Sequence, residues 1–80
     1  MSKSNAPRIT LYSTRRCAHC HQARTWLLQR KLRFRDLDIE RNARALKEYQ
    51  RLGARGVPVL VINGQRVDGF DPKRIQRLLA

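Results

Sequence analysis

Arg8-Ile9-Thr10-Leu11-Tyr12-Ser13-Thr14-Arg15-Arg16-Cys17-Ala18-His19-Cys20 is the stretch from which the fold follows. From Arg8 to Ser13, Ile9 and Leu11 alternate with polar neighbours in a run rich in β-branched and aromatic residues, the period-2 signature of a strand. Ser13-Thr14-Arg15-Arg16 is a short turn. From Cys17 to about Lys31 neither Gly nor Pro interrupts the chain. Ala23, Trp26 and Leu27 recur there at helical spacing, which leaves Gln22, Arg24, Gln29 and Lys31 to water. The stretch predicts a strand that turns directly into an amphipathic helix, with both cysteines in the first helical turn.

Working outward, Leu32 to Ile39 sets Leu32, Phe34, Leu37 and Ile39 against charged neighbours, with a change of phase that predicts a bend and a strand in the central part. From Asn42 to Leu52, Ala45, Leu46, Tyr49 and Leu52 stand three and four residues apart. Asn42 can cap this second helix and Gly53 can supply its left-handed stop. Gly56-Val57-Pro58-Val59-Leu60-Val61-Ile62 is the near-continuous apolar run of a central strand buried on both faces. Asn63-Gly64 predicts a tight hairpin into a partner strand at Gln65-Arg66-Val67. Asp71-Pro72 places a capping acid before a first-turn Pro, and Ile75, Leu78 and Leu79 form the buried stripe of a last helix. The order β-α-β-α-β-β-α predicts an α/β fold: a four-stranded mixed sheet flanked by helices, with a right-handed crossover joining the first two, parallel, strands.

Eighty residues, 41% of them hydrophobic, suffice for one domain, expected over residues 8–80 after a flexible polar tail at 1–7. The tail has no apolar stretch of a secretory signal, and no run approaches the roughly 18 residues that span a bilayer. The expectation is a cytoplasmic monomer with no membrane partner. In that compartment a Cys-x-x-Cys pair is reduced, catalytic or metal-binding rather than permanently bridged. A Cys17–Cys20 bridge also closes too short a loop to act as a staple. Lys and Arg number 18 against 6 Asp and Glu, a formal charge of +12. The cations are scattered, never five or six in a row, and read as a generally basic surface that attracts acidic substrates.

Cys17-Ala18-His19-Cys20 sets two sulfurs one helical turn apart, the first at the exposed helix N-terminus. The unpaired N–H groups there, together with Arg15 and Arg16, favour the thiolate at Cys17, the expected nucleophile. Cys20, more enclosed, is expected to remain a thiol until it attacks a mixed disulfide formed on Cys17. His19 lies near enough to influence the charge on Cys17. Pro58 enters a strand-like run that Pro normally avoids. Either it starts an edge strand, or a cis Val57–Pro58 bond holds the Val57 backbone beside the dithiol, where it can pair with a substrate strand.

Tyr12-Ser13, the Cys17-to-Cys20 motif at a strand-to-helix junction, Gly56-Val57-Pro58, and Gly69-Phe70 before a last helix together resemble the glutaredoxin family, over Arg8 to Ala80. The resemblance implies the minimal thioredoxin fold, a cis Pro58, and reduction of protein disulfides or glutathione mixed disulfides by Cys17 and Cys20. It implies no tightly bound cofactor, glutathione as co-substrate, and a binding surface of Arg16, His19, Val57, Pro58, Gly69, Phe70 and Asp71. Gly69 then gives a close backbone approach, and Asp71 falls where the family often pairs an acid with the amino end of glutathione. Two departures stand out: Ala18-His19 replaces the common Pro-Tyr, and Thr14 stands where a lysine often lies. Gly69-Phe70 followed by Pro72 equally resembles glutaredoxin-like redoxins that are recharged by thioredoxin reductase and serve ribonucleotide reductase.

Three rival readings arise. Cys17-Ala18-His19-Cys20-His21 matches the haem-attachment pattern, but that chemistry normally needs export. Zinc, or an iron–sulfur cluster shared with glutathione, needs ligands from a second subunit, because one helical turn does not supply four. A nucleic-acid module fits the charge, but Trp26, Phe34 and Tyr49 are expected in the core, leaving only Tyr12 and Phe70 for stacking. Catalysis without a metal, and no nucleic-acid partner, is the expectation.

Overall fold

The computed structural model describes residues 6–80; of the tail expected at 1–7, residues 1–5 lie outside the described residues. The elements run β1 (Ile9–Ser13), α1 (Ala18–Gln29), β2 (Arg35–Asp38), α2 (Ala43–Leu52), β3 (Val59–Ile62), β4 (Gln65–Asp68) and α3 (Pro72–Leu79), in the predicted order. β1 pairs in parallel with β2, placing Ser13 beside Asp38, and antiparallel with β3, placing Leu11 beside Leu60. β3 turns through Asn63 and Gly64, both at positive φ as a tight hairpin requires, into antiparallel β4. The sheet order is β2-β1-β3-β4.

Alternation along the strands divides the core between two faces. Ile9, Leu11, Leu60, Ile62 and Val67 join Ala23 and Leu27 of α1 and Ile75 of α3 in one buried cluster. Trp26, Leu32, Phe34, Phe70, Leu78 and Leu79 pack around it while only partly buried. On the other face Tyr12, 6% exposed, donates from its hydroxyl to Glu48 of α2 at 3.0 Å and meets the Tyr49 ring. Tyr12 is therefore unavailable for stacking, contrary to the expectation that it could be exposed. Its place beside Val59 turns it under α2.

α1 is shorter at both ends than the predicted span from Cys17 to Lys31. Cys17 is its N-cap, in extended conformation, with Sγ accepting the Cys20 N–H, and the helix begins at Ala18. At the other end the Leu32 N–H donates to the Leu27 carbonyl and the Lys31 N–H to that of Leu28, the paired bonds of a Schellman stop. Lys31 takes the left-handed position, φ 57°, that Gly usually fills. α2 and α3 begin on Asn42 and Asp71, whose side chains accept the Ala45 and Arg74 N–H groups.

Candidate functional site

Two turns leave the same end of the parallel β1/β2 pair, and the first delivers the dithiol. The Ile39 N–H donates to the Ser13 carbonyl at 3.0 Å, keeping the strands paired to their last residues. The Arg15 carbonyl is held by His21 Nε2 at 3.0 Å, which ties the turn down onto α1. Cys17 then sits half-exposed at the helix N-cap, with its Sγ 3.1 Å from the Cys20 N–H and 3.6 Å from the Val57 carbonyl, to which the thiol can donate. The Val57–Pro58 bond is cis. Of the two sequence readings of Pro58 the edge-strand start is thereby set aside, since β3 begins at Val59 and lies inside the sheet. The Pro58 carbonyl accepts the Gly69 N–H at 2.8 Å, joining the start of β3 to the turn before α3.

Cys20 lies one turn behind, 0% exposed. Burial, first, and then its hydrogen bond with the Cys17 side chain push its pKa up to about 12, against a backbone hydrogen bond from Thr14 and the charge of Arg24, which favour the thiolate. Arg24 is not the freely solvated residue that helical spacing suggests. It pairs with Asp36, reaches buried Ser13 at 3.4 Å and meets His21 Nδ1 at 2.8 Å. Ser13 in turn donates to Asp36 at 2.8 Å. Alternation on β2 gives no hint of this group, because it forms only when the parallel register brings Asp36 beside β1. Tyr49 is a second residue that periodicity assigns only to packing, and its hydroxyl donates to the Gly56 carbonyl at 2.8 Å, anchoring the approach to Val57.

The structure thus brings Cys17, Cys20, Val57, Pro58 and Gly69 together. Gly69 sits at φ 80°, and a Cβ there meets nothing within 4 Å, so backbone conformation alone calls for glycine. Phe70 turns its ring edge to Trp26, 6.5 Å between centroids, and Asp71 caps α3. His19 is exposed in the first turn of α1, and Arg16 borders a cleft with Arg15, Glu40 and Arg41. Among the described residues no three His, Cys, Asp or Glu side chains gather to hold a metal, and both nitrogens of His21 are engaged.

The glutaredoxin family model matches residues 9–67. The glutaredoxin-like protein NrdH of Escherichia coli is 30% identical over 71 residues, 89% of this chain and 88% of its own. Its structure, described as the basis of a thioredoxin-like activity profile, superposes with a TM-score of 0.79 over 89% of this chain and 93% of that one. Glutaredoxin 3 of Escherichia coli is 31% identical over 64 residues, 79% of this chain and 77% of its own. A crystal structure of a thioredoxin-like protein, 25% identical, superposes with a TM-score of 0.83 over 89% of this chain and 99% of that one. The fold is thioredoxin-like, and the chain belongs to the glutaredoxin family. It is a thiol–disulfide oxidoreductase of the glutaredoxin-like kind that includes the NrdH redoxins.

Proposed function

We propose that this protein reduces disulfides in other proteins through Cys17 and Cys20, and is recharged by a thioredoxin-reductase-type flavoenzyme rather than by glutathione. The observation that carries the reading is the pairing of a half-exposed Cys17 Sγ, against the Val57 carbonyl, with a fully buried Cys20 one turn behind. The Cys17 thiolate attacks one sulfur of the substrate disulfide, forming a mixed disulfide and releasing the other sulfur, which takes a proton. Cys20 then gives up its proton and attacks Cys17, closing the Cys17–Cys20 bond and freeing the substrate as a dithiol. Two electrons have passed to the substrate, and the reductase returns two to the protein.

The order of these steps follows from what holds the Cys20 proton. Burial holds it most, but the Cys17 side chain holds it too, through a hydrogen bond and through charge. Once Cys17 is in a mixed disulfide, both of its contributions vanish while the Thr14 N–H and Arg24 remain. Cys20 becomes a stronger acid when its attack is needed.

The choice of electron donor draws on the likeness to the NrdH redoxin and on two residues, Thr14 and the Ala18-His19 pair, at which the chain departs from the common glutaredoxin pattern. The glutathione reading is favoured by the exposed Asp71 next to Gly69, and by the likeness to glutaredoxin 3. We place the protein in the cytoplasm, where a dithiol stays reduced; no helix among the described residues is long and apolar enough to cross a membrane. Insulin disulfide reduction, followed by NADPH consumption, decides between the donors when run with thioredoxin reductase and, separately, with glutathione plus glutathione reductase. Turnover with thioredoxin reductase alone is expected. Turnover only with glutathione overturns the donor assignment, and turnover with neither overturns the protein-disulfide assignment.

A further inference from the structure

The second turn at the active end of the β1/β2 pair carries Glu40 and Arg41, and it meets the first across a cavity of about 710 Å³ lined by Arg15, Arg16, Glu40 and Arg41. Parallel pairing makes this meeting unavoidable: Ser13 lies beside Asp38, so the residues that follow each emerge together, on the end where Cys17 follows Arg16. All four lining residues are exposed.

Acidic groups are scarce beside these guanidinium groups. The chain holds 6 acidic residues against 18 basic ones. Asp36 pairs with Arg24 and Asp68 with Arg66, the ion pairs found among the described residues. Glu48 accepts from Tyr12, Asp38 from the Glu40 N–H and Asp71 from the Arg74 N–H. Of the four residues that line the cleft, Glu40 alone is acidic and faces three arginines, while Asp38 borders Arg15 in the neighbouring pocket.

Resting on the oxidoreductase reading, we infer that this cleft receives an acidic stretch of polypeptide flanking the disulfide that Cys17 attacks. Guanidinium groups present paired donors that suit carboxylates, and a cluster beside the nucleophile raises the local concentration of an anionic segment before chemistry begins. Val57, whose carbonyl lies 3.6 Å from the Cys17 Sγ, offers backbone instead, so the two neighbours of Cys17 divide the work. Val57 pairs with the chain near the disulfide, and the arginine cleft takes the charged continuation. A few solvent-exposed ion pairs give about a tenfold preference, or ~1.4 kcal/mol, carried in KM.

The test uses two synthetic peptides, each closed by one disulfide and identical except that Glu residues flanking one cysteine in the first are Gln in the second. Reduced protein is assayed for kcat/KM on both. The acidic peptide is expected to lead about tenfold at ~0.01 M salt and to lose its lead at ~1 M. Arg15→Gln/Arg41→Gln should bring the ratio below about threefold, whereas Lys73→Gln/Arg77→Gln on α3, with the same loss of charge, should leave it unchanged. A wild-type ratio near one overturns the inference, as does an equal fall in the α3 variant, which assigns the preference to overall charge. Failure to reduce either peptide overturns the oxidoreductase reading instead. The cleft is then judged by fluorescence anisotropy with the acidic peptide lacking its cysteines: binding lost in Arg15→Gln/Arg41→Gln upholds it, and no binding overturns it.

Discussion

Blocking Cys17 and then asking how Cys20 reacts isolates the property that separates the two thiols. The Cys20 thiol is 0% exposed and its pKa is pushed up to about 12, principally by burial. At pH 8 that leaves roughly one thiol in ten thousand ionised, against about a quarter for a free cysteine whose pKa is ~8.5. A more basic thiolate is intrinsically more nucleophilic, by about 40-fold over this interval for a Brønsted slope near 0.45, so ionisation alone slows Cys20 by roughly 60-fold. Enclosure slows it further. The assay is iodoacetamide alkylation of Cys17→Ser from pH 6 to 11, with rates read by mass spectrometry. Removing Cys17 also removes its hydrogen bond to Cys20, but burial, the larger cause, remains. The expected rate at pH 8 is at least tenfold below that of a free thiol, and it should still be climbing at pH 10. A rate like that of a free thiol, with a midpoint near pH 8.5, refutes the reasoning.

Three further outcomes follow from particular residues. Because folding raises the Cys20 pKa, the unfolded chain loses that proton first as pH rises. The contribution is complete below about pH 8.5 and is lost towards pH 12, so urea midpoints of the reduced protein should fall more steeply above pH 9 than those of Cys20→Ala. Lys31→Gly should raise stability by about 0.5–1 kcal/mol, because φ 57° at a helix stop strains any side chain, whereas Lys31→Ala should not; denaturant titration distinguishes them. Leu60→Ala, at a position 0% exposed in the sheet centre, should cost about 2–5 kcal/mol by the same titration, a large share of the roughly 4–12 kcal/mol expected for a chain of this length.

What the sequence revealed of this architecture came through local signals that act over a few residues. Asn42 and Gly53, Asn63-Gly64, and Asp71-Pro72 mark boundaries because each chemistry satisfies a backbone requirement within one turn. The end of α1 was harder to place because Lys31 occupies a left-handed site without the glycine that would announce it. Cys17 lies outside the helix proper for a related reason: its sulfur caps, a role usually carried by an oxygen. The Arg24–Asp36–Ser13 group and the cleft of Arg15, Arg16 and Arg41 were illegible for a different cause. Both depend on parallel register between strands separated by a whole helix, which no short-range pattern encodes. Tyr12 was misjudged in the same way, since nothing local tells that α2 crosses its face.

The assignment of roles to the two sulfurs is tested most directly by trapping. Reduced Cys20→Ser is mixed with a protein disulfide substrate in the absence of other thiols, and the adduct is mapped by mass spectrometry. A covalent complex through Cys17 should accumulate and persist until a thiol is added, and Cys17→Ser should form none. An adduct of equal yield on Cys17→Ser, joined through Cys20, would contradict the account.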